Sequence, residues 1–225
     1  MEQGAVADPP RPFGYKMAWL AIRSQDSGAV AAAVGFVGSR PASWEEGIER
    51  AYAGEIFVTP PVGEWVFVVG GSLADSVQTS AGAWRRQLQA LSSGFGIAQL
   101  FFTHRIAEMH VWARACDGII ERAYGYLGES GETLFDEGEQ TPEENALGLR
   151  FFDERSSEAE DDAYWEREDL TYPDEDTVMA IADRWSIAPV NLSESSAEPR
   201  LGLLRTRGGP ARPHRQDRRP WWRFW

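Results

Sequence analysis

Asp117-Gly118 sits between two apolar-rich runs, residues 107–115 and 119–126. A two-residue Asp-Gly loop supplies the positive φ angles of a type I′ turn, whose twist matches that of paired strands. The spacing therefore predicts an antiparallel hairpin, with Arg114 facing Glu121 as a favourable cross-strand pair. A second hairpin is predicted from residues 55–59 and 65–69, which flank Pro60-Pro61-Val62-Gly63. Prolines cannot donate to a ladder, so they mark the turn. Val66-Phe67-Val68-Val69 has no polar alternation, which places that strand at the centre of a sheet. Residues 16–22 and 98–103 read as further strands, and 134–136 as a short one.

The remaining apolar residues recur at helical spacing. Ser27 is expected to cap a short helix over 28–34, ended by Gly35. Ser43-Trp44-Glu45-Glu46 has the form of a capping box, and Trp44, Ile48, Ala51 and Tyr52 form the stripe behind it. Trp84, Leu88 and Leu91 mark a helix over 80–91. Thr141-Pro142 opens a helical turn, with proline at its favoured first position. Val178, Ile181, Ala182 and Trp185 mark a last helix, opened by the acids Asp174, Glu175 and Asp176. Hairpins mixed with helices predict an α+β fold: a mainly antiparallel sheet of about six strands, with helices packed on one face. Residues 13–205 read as one domain, carrying an acidic insertion over 153–169. Residues 1–12 read as a flexible leader and 206–225 as a disordered Arg/Trp-rich tail.

Charge narrows the classes of partner. The chain has 225 residues and a formal net charge of −13. From Arg200 onward, eight arginines against Asp217 give +7, which leaves −20 on residues 1–199. Such a body repels nucleic acid and anionic membranes and speeds encounter with basic partners. The arginine-rich tail has the opposite preference and could contact anionic surfaces. Cys116 is the only cysteine, so an intramolecular disulfide and a cysteine-based zinc site are excluded. With no long apolar run and no signal-like N-terminus, the expected compartment is the cytoplasm.

His104, Glu108 and His110 form the sharpest candidate constellation. On a continuous strand they share a face with Ile106, Trp112 and Arg114, opposite an apolar face of Ala107, Met109, Val111, Ala113 and Ala115. The polar face is expected to point outward or into a groove. Two imidazoles and a carboxylate can bind a transition metal, but i, i+2 spacing on a flat strand is about 7 Å, which opposes convergence. Asp136, Glu137 and Glu139 read as exposed turn acids. Gly70-Gly71 and Gly94-Phe95-Gly96 fit neither a phosphate-binding loop nor a dinucleotide fingerprint. No catalytic motif is found, and no cofactor or metal is expected.

Four further phrases occur together: Phe13-Gly14-Tyr15-Lys16 leading into Trp19-Leu20-Ala21-Ile22-Arg23, Val58-Thr59-Pro60-Pro61, Thr103-His104-Arg105, and Trp185-Ser186-Ile187. Over residues 13–205 they resemble a family of bacterial cytosolic proteins similar to the immunity proteins that neutralise polymorphic toxins. The resemblance implies a non-enzymatic module that occludes a cationic toxin, and it transfers no catalytic positions. The expected partner surface comprises His104, Glu108, His110 and Trp112, together with Glu158, Glu160, Asp161 and Asp162 of the acidic insertion. The alternative is a small enzyme or metal-binding protein using the His104/Glu108/His110 face.

Overall fold

The computed structural model describes residues 5–79, 82–151, 154–167 and 172–206. The expected tail beyond Thr206 lies outside the described residues, as do residues 153, 168 and 169 of the acidic segment and residue 80 at the expected helix start.

The strands are β1 (Ala18–Arg23), β2 (Ser39–Ala42), β3 (Phe57–Val58), β4 (Trp65–Val69), β5 (Ile97–His104), β6 (Met109–Cys116), β7 (Ile119–Leu127), β8 (Glu132–Glu137) and β9 (Gly202–Arg205). They form one sheet in the order β2-β9-β3-β4-β1-β5-β6-β7-β8, and every neighbouring pair is antiparallel. The antiparallel α+β expectation holds, but the described residues contain nine strands rather than about six. The helices are α1 (Ser27–Ala33), α2 (Trp44–Tyr52), α3 (Leu73–Thr79), α4 (Ala83–Phe95), α5 (Pro142–Ala146), α6 (Asp162–Trp165) and α7 (Glu175–Trp185). None of them is long and apolar enough to cross a membrane.

Helices cover both faces of the sheet, not one. Along β1, Trp19 and Ala21 enter a core with Trp44 and Ile48 of α2 and Val178 and Ile181 of α7. Ala18, Leu20 and Ile22 enter a second core with Val30 of α1, Leu73 of α3 and Trp84, Leu88 and Leu91 of α4. Successive strand residues point to opposite faces, so a strand buried on both sides needs the unbroken apolar run seen in β4. Trp19 stacks on Phe101 with centroids 5.1 Å apart. Trp19→Ala would empty a fully buried site, a change that typically costs about 3–5 kcal/mol.

The Asp117-Gly118 turn has the expected positive φ at both residues, 47° and 85°. Arg114 does pair with Glu121, at 3.0 Å. It does so although its Cα partner is Arg122, because a register irregularity falls between Arg114 and Ala115. At α2, Ser43 Oγ accepts from the Glu46 amide at 3.1 Å. The Glu46 carboxylate does not complete the box; it binds Arg40. Asp8 instead accepts from the amides of Trp44 and Glu45. The segment expected as a flexible leader is thus, from Asp8, part of the α2 cap.

One buried polar cluster links β6, β7 and α5. Glu144, fully buried, accepts from Trp112 Nε1 at 2.7 Å, from Arg122 Nε at 2.9 Å and from the Thr141 amide at 2.7 Å. Thr141 and Glu144 form a complete capping box on α5. Arg122, 1% exposed, also binds Asp136 and the Glu137 and Gly138 carbonyls. Glu137 binds Arg85 of α4. Two of the three acids read as exposed turn carboxylates are therefore ion-paired to arginines.

Candidate functional site

The strand carrying the His104/Glu108/His110 constellation is broken. β5 ends at His104, residues 105–108 turn, and β6 starts at Met109, so Met109 lies opposite His104 and His110 opposite Thr103. His104 Nδ1 accepts from the Ala107 amide at 3.3 Å and closes the turn. Glu108 adopts φ 48° there, a left-handed conformation unusual for a non-glycine residue. The predicted outward face is corrected accordingly. His110 is 3% exposed, and Trp112 is fully buried and bonded to Glu144. The cause is the second helical layer: α5 and α7 cover the face that a one-sided sheet would leave to solvent.

Two members of the constellation, Glu108 and His110, line a cleft of about 480 Å³. Glu108 and Gly128 come from the turns at one end of the sheet. His110 and Tyr126 come from adjacent β6 and β7. Glu154 and residues 172–176, which lead into α7, close the other side. His104 is not among the lining residues. No group of three or more His, Cys, Asp or Glu among the described residues is placed to hold a metal ion, so the three candidates do not form a ligand set.

The cleft wall carries Glu108, Glu154, Asp174, Glu175 and Asp176 against Arg105. The three α7 acids also serve the fold. Asp174 caps the helix, accepting from the Thr177 amide at 2.8 Å. Glu175 accepts from Thr103 Oγ1 at 3.0 Å, and Asp176 from the Tyr15 hydroxyl at 3.1 Å. Acids at a helix N-terminus are stabilised by its partial positive charge. Glu154 accepts from the Tyr126 hydroxyl at 3.4 Å. Tyr126 and Tyr172 stack with centroids 5.8 Å apart and planes at 21°.

The titratable groups are tuned toward neutrality where they are not carboxylates. Desolvation pushes His110 down to about 4, opposed by the charges of Asp174 and Glu175. Its Nδ1 is buried with no hydrogen-bond partner among the described residues. Tyr126 is raised above the ordinary phenol range, first by burial and then by Glu154; Tyr172 is raised for the same two reasons. At neutral pH the cleft therefore presents a neutral imidazole, two neutral phenols and a negative rim.

The acidic segment is not wholly a solvated loop. Glu158, Glu160, Asp161 and Asp162 are exposed as expected, with Asp161 capping α6, while Tyr164 is buried. No motif or periodicity in the sequence marks Glu154, Tyr126 or Tyr172; only the Asp174-Glu175-Asp176 run is visible, as a helix start. The thiol of Cys116 is pushed up, by desolvation and then by Asp117 and Glu121, the wrong direction for an activated nucleophile. No family model, curated protein or solved structure matches this chain.

Proposed function

We propose that this protein is a non-enzymatic binding module for a basic protein partner, and that it acts as an immunity protein does, by occluding the surface of a cationic toxin. The observation that carries the reading is the cleft, whose wall among the described residues has five carboxylates against the single cation of Arg105. It lies in a body of charge −20 over residues 1–199. Clustered surface charge of one sign steers an oppositely charged partner to the docking face. The exposed acids Glu158, Glu160, Asp161 and Asp162 extend the same field.

The test is the association rate with a cationic toxin encoded beside this gene, followed by stopped-flow fluorescence from low to high salt. The rate is expected to fall steeply, because charges are screened over about 8–10 Å near physiological ionic strength. Reversing Glu158, Glu160, Asp161 and Asp162 together should slow association further. A tight complex whose association rate ignores salt would remove the role given to the acidic body.

A further inference from the structure

We propose that the end of the sheet holding the cleft is the docking surface for one segment of this same chain, residues 207–225. The proposal goes beyond the binding reading above and does not depend on it.

The fold fixes where that segment starts. Every strand pairing is antiparallel, so β9 ends at the same end of the sheet as β5 and β7, where β1 and β6 begin. There the Arg205 amide donates to the Ile56 carbonyl at 3.0 Å, and the Thr206 amide to the Gly38 carbonyl at 2.9 Å. The β5–β6 turn and the cleft lie at this end, across the order β9-β3-β4-β1-β5-β6. At about 4.8 Å per neighbouring strand, the separation is roughly 24 Å. Nineteen extended residues span at most about 60 Å, so the stretch from about residue 215 onward can lie over the cleft.

A track of exposed side chains joins the two points. Tyr52, at the end of α2, donates its hydroxyl to the Tyr15 carbonyl at 3.0 Å. The Tyr15 hydroxyl donates to Asp176 at 3.1 Å, and Asp176 lines the cleft with Tyr172. Nine large apolar side chains among the described residues are exposed. Five of them gather at this end: Val37 beside Gly38, then Tyr52, Tyr15, Ile106 and Tyr172. That concentration marks a contact surface better than scattered single residues would.

The acids of the cleft would not by themselves define a site. His110 supplies an independent sign. It is 3% exposed and lines the cleft. Its Nδ1 is enclosed, its Nε2 is not, and neither has a hydrogen-bond partner among the described residues. Nε2 is therefore open to a polar group brought into the cleft.

The composition of residues 207–225 matches this surface. Six arginines against Asp217 give +5, and Trp221, Trp222 and Trp225 accompany them. Guanidinium groups pair with carboxylates and stack on aromatic faces, and indole rings pack on tyrosine. Lys16 and Arg105 oppose the contact, but five carboxylates line the cleft alone. Tethering favours this segment over a second copy. A segment on a short flexible linker has an effective concentration on the order of millimolar, so individually weak contacts suffice.

The experiment uses the full chain with Cys116→Ser and Gln216→Cys, carrying a nitroxide on the new thiol. Paramagnetic broadening of side-chain resonances is read by NMR. At low salt the Tyr15, Tyr172 and His110 ring signals should be lost, while the Ile119 methyls, at the opposite end of the sheet, stay sharp. High salt should restore the rings, because it screens the contact. Arg212→Gln, Arg215→Gln, Arg218→Gln, Arg219→Gln and Arg223→Gln together should restore them at low salt. Rings that stay sharp at low salt, or Ile119 broadened as much as Tyr172, would overturn the docking. Broadening passed from labelled chains to isotope-labelled chains without nitroxide would assign the surface to a second copy and overturn it equally. In the association test above, the five-arginine variant should meet the toxin several-fold faster than the parent. An unchanged rate with the rings still broadened in the parent would keep the docking and place the partner on another face.

Discussion

Replacing Glu144 by glutamine removes one charge from a site with no exposure and leaves its shape almost unchanged. Three donors converge on this carboxylate: Trp112 Nε1, Arg122 Nε and the Thr141 amide. A glutamine amide has one oxygen and one NH₂, so at least one of these donors would face another donor. Arg122, 1% exposed, would lose its buried counter-charge and keep only Asp136, whose side chain is 44% exposed. Breaking a buried ion pair from one side typically costs about 3–5 kcal/mol. The surviving Asp136 contact places the expected loss near the lower end, about 3 kcal/mol. For a chain of this length each kcal/mol moves Tm by roughly 2–4 °C, so Tm should fall by about 6–12 °C. Urea titration followed by tryptophan fluorescence measures the free energy, and calorimetry the midpoint. The double variant Arg122→Met/Glu144→Gln should recover part of the loss, because no uncompensated buried guanidinium remains and the glutamine oxygen still accepts from one of the other two donors. A Glu144→Gln protein within about 1 kcal/mol of the parent would refute the argument and show that Asp136 and the backbone carbonyls suffice for Arg122.

Two further outcomes probe the cleft. His110 titrates at about 4 in the folded chain against an ordinary 6.5, so the unfolded chain takes up its proton first. Its contribution is complete above about pH 6.5 and is lost as pH falls toward 4, amounting to roughly 3 kcal/mol at 1.36 kcal/mol per unit. Asp174 and Glu175 face the ring and oppose the shift, while His104 adds to it. Subtracting the pH–stability curve of His110→Gln isolates this component from the acids; a flat difference would sink it. Glu108→Gly should relieve about 1–2 kcal/mol of left-handed backbone cost and incur about 0.5–1 kcal/mol of glycine entropy. The protein should be slightly more stable to urea. A destabilisation above about 1 kcal/mol would show that the Glu108 side chain serves the fold.

What could be read from the sequence depended on whether local chemistry and tertiary structure agreed. Asp117-Gly118 specified its hairpin because those two residue types favour the backbone that the turn requires. Trp84, Leu88 and Leu91, and likewise Val178, Ile181, Ala182 and Trp185, show their buried faces at helical spacing, and all seven are buried. β2 and β9 leave no strand signal in the sequence because four residues carry little period, and Pro41 demotes Ser-Arg-Pro-Ala as a strand. In the fold they pair with each other, and β9 inserts beside β3. That joins segments more than a hundred residues apart, which no local pattern encodes.

The cleft was hidden by the same kind of conflict, concentrated in one turn. Arg105-Ile106-Ala107-Glu108 contains no glycine, proline, asparagine or aspartate, so nothing in it announces a reversal of the chain. Read as continuous strand, it puts His104, Glu108 and His110 on one exposed face. Folded as a turn, it separates them: His104 closes the loop, Glu108 stands at the rim and His110 sinks beneath residues 172–176. The residues that line the cleft with His110 and Glu108 come from β7, Glu154 and the start of α7. A non-glycine residue at positive φ is a local cost that a fold keeps where something else depends on it. Here the turn that breaks the sequence rule is also the turn that supplies the cleft with a carboxylate, Glu108.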